Sequence, residues 1–87
     1  MKKDELAVLP NEDRVRYKAL DLTRRGILYG IKRAKGLQAG YGPAHDAEFK
    51  RQIVQGLRHL ERTEAEIAEL EMKARALIEQ QEKGTPA

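Results

Sequence analysis

DAEFKRQIVQGLRHLERTEAEIAELEMKARALIEQQE, residues 46 to 82, is the stretch whose reading decides the fold. With Ile53, Leu60, Ile67 and Ala74 at heptad position a, position d carries Phe49, Gly56, Thr63, Leu70 and Leu77. An apolar repeat of this period, held for about four heptads, specifies one long helix with a coiled-coil-like seam. Leu57 and Ile78, at position e, widen the seam from that of a two-stranded zipper toward that of a bundle. Asp46 suits the N-cap and Glu48 the first turn, where unsatisfied amides favour negative charge. Thr63 to Glu66 resembles a capping box, but the heptad register is the same on both sides, so the helix reads as continuous. Glu69 with Lys73, Glu71 with Arg75 and Glu79 with Lys83 stand acid before base at i, i+4 and are expected to pair on its solvated surface.

Upstream, Asn11 can cap a first helix whose opening turn holds Glu12 and Asp13, with Val8 or Leu9 as a hydrophobic staple against Val15. Placed 100° apart, its residues form two apolar stripes across a narrow polar gap. One carries Val15, Ala19, Leu22, Gly26 and Tyr29; the other carries Tyr17, Leu20, Ile27, Leu28, Ile31 and Ala34. A helix in a lone hairpin needs only one, so the second stripe points to another chain. Gly26 and Gly30 each cost about 1 kcal/mol relative to Ala in a helix interior; Gly26, on the first stripe, is expected either to let another helix backbone come near or to mark a kink at Arg25-Gly26, and Gly30 to mark a bend. Gly36 follows Lys32, Arg33 and Lys35 and suits a C-terminal cap, and the run from Gly36 to His45, with three glycines and Pro43, reads as a connection. The expected organisation is therefore an N-terminal arm over 1–10, then a hairpin over 11–83 with a helix at about 12–35, a loop at 36–45 and a helix at about 46–82. Residues 84–87 are expected to be a disordered tail.

Length turns this hairpin outward. At 1.5 Å per residue the second helix would be ~55 Å long and the first ~36 Å. The overhang from about Ile67 to Ile78 carries Leu70, Leu77 and Ile78 without a helix to cover them, unless the arm folds across. The fold class expected is all-α, a helical hairpin with a long coiled-coil-like second helix, completed as a bundle by oligomerisation. A chain of 87 residues is near the size at which a private core is marginal, which also favours a homo-oligomer, a dimer or higher. The expected assembly surface is Phe49, Ile53, Leu57, Leu60, Ile67, Leu70, Leu77 and Ile78.

Composition excludes several classes. There is no Cys, hence no disulfide framework and no Cys-based metal site. Ser is also absent, which removes a serine nucleophile. His45 and His59 lack any ligand spacing such as His-Glu-x-x-His, and the carboxylates alternate with bases on exposed faces, where burial cannot tune a general acid. The loop glycines lack the phosphate-loop pattern and have no strand before them. No catalytic residue, metal or cofactor is expected, and the chain reads as non-enzymatic. The charged Met1 to Glu5 segment and the short run Leu6 to Leu9 do not make a signal peptide, and no apolar run approaches ~18 residues. No membrane association is expected, and the setting is the cytoplasm, that of a bacterial host if the chain is phage or plasmid encoded.

The net charge of +3 is unevenly spread. Ten cations and five acids lie up to Gly40, seven and nine beyond it, so the two halves complement each other if they fold together. Arg14, Lys18, Arg25 and Lys32, with Asp21 among them, make a basic face that is the candidate site for an anion or a partner. The function expected is a small protein-binding module, an adaptor, chaperone or inhibitor, acting on a protein partner through a self-associating hairpin. The alternative is nucleic acid or a small nucleotide ligand on the basic face. Arg16-Tyr17 with Leu20, Tyr29, Ile31, Pro43, Leu57 and Leu60-Glu61 faintly resembles phage-encoded helical-hairpin sponges that sequester cyclic oligonucleotide signals. That resemblance is scattered over the middle two-thirds of the chain, lacks the Trp-centred second-helix pattern of the family, and does not amount to membership. It would imply a stacked base and its phosphates at Arg16, Tyr17 and the basic face, with the oligomer forming the pocket.

Overall fold

Two long antiparallel helices make up nearly all of the computed structural model, which describes residues 1–84 and is all-α. A short helix α1 (Lys3–Ala7) precedes α2 (Asn11–Tyr41), a single 3-10 turn (Pro43–His45) follows, and α3 (Asp46–Gly84) completes the hairpin. The molecule is a rod of 67 × 19 × 15 Å with a radius of gyration of 18.5 Å, against about 12 Å for a compact domain of this length.

The heptad reading of α3 places its inward face correctly. Thr63, Ile67, Leu70 and Ala74 are buried, and Phe49, Ile53, Gly56, Leu60 and Leu77 on the same seam are half-buried. The opposing seam of α2 is Tyr17, Leu20, Ile27, Ile31 and Ala34. Thr63 is tolerated at 3% exposure because its hydroxyl donates to the His59 carbonyl at 2.9 Å, so no buried polar atom is left unpaired there. Gly56 lies against the Ile31 side chain of α2, with no room for a side chain of its own.

The first helix does not stop at Gly36. It continues through Gly36 and Gly40 to Tyr41, and the expected loop at 36–45 shrinks to Gly42 and the 3-10 turn. Helix propensity is a weak prior, and on this extra stretch Leu37 and Gln38 are half-buried. The chain turns at Gly42, with φ 77° and ψ −172°, a combination open in practice only to glycine, and Pro43 then starts the 3-10 turn. Because that turn runs directly into α3, Asp46 is helical rather than an extended N-cap. Asn11 is likewise the first residue of α2, with Pro10 before it.

The overhang is also covered at Ile67 and Leu70. α2 has 31 residues and α3 has 39, about 46 and 58 Å. The N-terminal segment folds across the difference: Leu9 is 2% exposed, and Met1, Leu6 and Leu20 pack against the cluster of Tyr17, Ile67 and Leu70. The Met1 amino group donates to the Tyr17 hydroxyl at 3.2 Å. Arg16 and Glu66, and Lys73 and Asp13, tie α2 to α3 on the same half of the rod. Lys73 thus reaches Asp13 on the other helix and not Glu69, and the i, i+4 ion pair that α3 does make is Asp46 with Lys50, at 3.0 Å. Exposed pairs of this kind contribute little individually. Their value here is to fix the register of the hairpin.

Candidate interaction surface

Burial assigns the two stripes of α2. The stripe with Tyr17, Leu20, Ile27, Ile31 and Ala34 faces α3. The other is open: Val15 is 59% exposed, Leu22 67% and Tyr29 67%, Ala19 is exposed, and a side chain at Gly26 would meet nothing within 4 Å. At 100° per residue its centre lies roughly 150° around the helix from the seam. The two stripes are therefore back to back. Leu28 sits beside the seam at 48% exposure.

The residues expected to form an assembly surface mostly lie inside the hairpin itself. Ile67 and Leu70 are each 4% exposed. Phe49, Ile53, Leu60, Leu77 and Ile78 are half-buried, whereas Leu57 is 49% exposed. The seam lies inside the hairpin of one chain, and the apolar stripe that stays exposed on α2 is on its far side. Periodicity could not reveal which of two apolar stripes would turn inward.

The four cations of the basic face are not equivalent. Lys18 and Lys32 are exposed and make no ion pair among the described residues. The Arg25 guanidinium donates to Asp21 at 3.0 Å, and Arg24 binds the other Asp21 oxygen at 2.6 Å. Arg14 is half-buried, and its Nε is buried without a hydrogen-bond partner. Beside the apolar stripe, Lys18, Arg25 and Lys32 follow one another at seven-residue intervals and form a cationic rim.

On α3, Gln55, Arg58, His59, Arg62, Thr63 and Glu66 line an open groove of about 610 Å³. Arg58 and Arg62, one turn apart, make no ion pair among the described residues, a feature the sequence reading passed over. At the tip of the hairpin the rings of Tyr41, His45 and Phe49 lie 5.8 to 6.5 Å apart, close enough for edge contacts. The Gln38 amide donates to Asp46 at 2.6 Å; this bond and the Lys50 ammonium hold the Asp46 carboxyl below its ordinary value. These contacts fasten the turn.

Among the described residues no group of three or more His, Asp or Glu is placed to hold a metal ion, and no helix is long and apolar enough to cross a membrane. Comparison with protein-family models, curated proteins and solved structures gives no significant match for this chain.

Proposed function

We propose that this chain is a non-enzymatic protein-binding module, of the adaptor, chaperone or inhibitor kind, that works through self-association of the hairpin. The observation that carries the reading is the row Val15, Leu22 and Tyr29 on the outer side of α2. Single exposed apolar side chains are ordinary, but a row at helical spacing, on a helix already buried on its other side, is what a docking face requires. Fully covering a Val or Leu side chain contributes roughly 1.5–3 kcal/mol, and these are already partly covered, so a contact through Val15, Leu22 and Tyr29 is weak and reversible. Asp46, whose pKa is displaced, is half-buried and shifted downward, which suits an anion that holds a turn and not a general acid.

Light scattering on the full chain and on Leu22→Asp tests this. The unmodified chain exceeds the 9.9 kDa of a single copy, and the variant, with unchanged helicity, returns to it. An unmodified chain that stays at 9.9 kDa refutes the reading, and a variant that assembles like it, at equal helicity, removes Leu22 from the contact.

A second reading rests on Lys18 and Lys32, which stand exposed without an acid partner among the described residues: the basic face binds nucleic acid or a small nucleotide. Phosphate-dominated binding weakens steeply as salt rises, so titration of a labelled oligonucleotide at two salt concentrations tests it. No binding at low salt removes it.

A further inference from the structure

The outer face of α2 has a charge as well as a shape. α2 carries eight Lys or Arg against three acids, and Lys18, Arg25 and Lys32 rim its apolar row. If two copies met α2 to α2 around Leu22, those rims would face each other, and like charges brought opposite are destabilising. The row therefore fits an acidic helix. This chain contains one. Residues 61–82 hold seven acids against three cations, and one of those cations, Lys73, is occupied by Asp13. Glu61, Glu64, Glu69 and Glu79 are exposed and make no ion pair among the described residues.

The same half of α3 offers a complementary surface. Met72 is 69% exposed and sits among Ala65, Ala68 and Ala76, all exposed. By helical spacing these residues lie roughly opposite the seam of α3. Small side chains there admit Val15, Leu22 and Tyr29, and Ala19 and Gly26 leave room for Met72.

We infer that the outer face of α2 is the docking site for the acidic C-terminal half of α3 of a second copy, in a head-to-tail contact. Because each helix presents this face away from its own partner helix, the contact is heterologous: every added copy leaves one α2 face and one α3 face open until a ring closes. The row from Val15 to Tyr29 is about 21 Å long. It covers only a few hundred Å², well under the roughly 800 Å² per partner of a standard interface. Assembly is accordingly weak, rises with concentration and falls with added salt.

The inference rests on the reading that the chain self-associates, and sedimentation velocity on complementary variants separates the two. Leu22→Asp spoils the α2 face and Met72→Lys the α3 face, both at exposed positions; Ala68→Lys replaces the latter if its helicity falls. The unmodified chain grows in mass with concentration, each variant alone stays at 9.9 kDa, and an equimolar mixture forms a species of twice that mass and no larger. Met72→Lys assembling like the unmodified chain, or a mixture in which both variants stay monomeric, overturns the head-to-tail contact while self-association stands. An unmodified chain that stays at 9.9 kDa at every concentration overturns both.

Discussion

Ile31 fills the space beside Gly56: a Cβ at position 56 would lie 2.8 Å from Ile31 Cγ1 and 3.3 Å from its Cδ1. Here α2 packs directly on the backbone of α3, and Ile31, β-branched and 8% exposed, has little freedom to yield. Gly56→Ala gains about 1 kcal/mol of helix propensity but overpacks the seam, at a cost of typically 1–3 kcal/mol. The net expectation is a loss of about 1 kcal/mol. Gly30→Ala, where nothing lies within 4 Å, keeps the propensity gain and stabilises by about 1 kcal/mol. Thermal unfolding checks the pair: the midpoints should move in opposite directions, by roughly 4–8 °C per kcal/mol for a domain of this size.

Leu70 belongs to the core of a single chain, at 4% exposure beside Tyr17 and Ile67. Leu70→Asp removes that packing and buries an unpaired carboxylate, a combination in the range above about 4 kcal/mol. Circular dichroism should show lost helicity. A variant that kept full helicity would place Leu70 on a surface.

The N-terminal segment is part of the fold. Leu9, 2% exposed, anchors it, and Leu9→Ala is expected to cost about 2–3 kcal/mol. Urea denaturation measures this through the midpoint. An unchanged midpoint would mean that the arm does not cover α3.

Asp46 gives the turn a pH dependence of known sign. Its carboxyl is held below the ordinary value of 3.8, first by the Gln38 amide and then by Lys50. A depressed folded-state pKa contributes stability that is complete above the unfolded value and lost as pH falls through the lower, folded one. NMR titration of the Asp46 side chain should give a midpoint below 3.8 in the unmodified chain and a higher one in Gln38→Ala. The same midpoint in both would rule out the Gln38 bond.

The all-α hairpin and the inward face of α3 were legible in the sequence because a heptad seam admits only one buried side: Ile67, Leu70 and Ala74 are where the spacing puts them. The end of α2 was not. Gly36 and Gly40 carry the composition of a loop, but the chain turns only at Gly42, the residue with positive φ. Whether a given glycine breaks a helix depends on what the helix packs against, and that is a tertiary fact. The covering of Ile67 and Leu70 by Met1, Leu6 and Tyr17 was one of the two covers the sequence allowed, the arm or a second chain, and an arm's path leaves no periodic trace to choose between them. As for the candidate site, the stripe of Val15, Leu22 and Tyr29 was visible as a stripe, and its exposure became known only once Tyr17, Ile31 and Ala34 were found facing α3.

In the proposed contact the outer face of α2 is covered by another copy of the chain. Amide chemical shifts of the unmodified full chain, followed by NMR as it is diluted from millimolar to micromolar, test it most directly. Progressive shifts are expected at Val15, Ala19, Leu22, Gly26 and Tyr29, with the buried Thr63, Ile67 and Ala74 unmoved. Shifts on the outer face of α2 that do not change with concentration would contradict it.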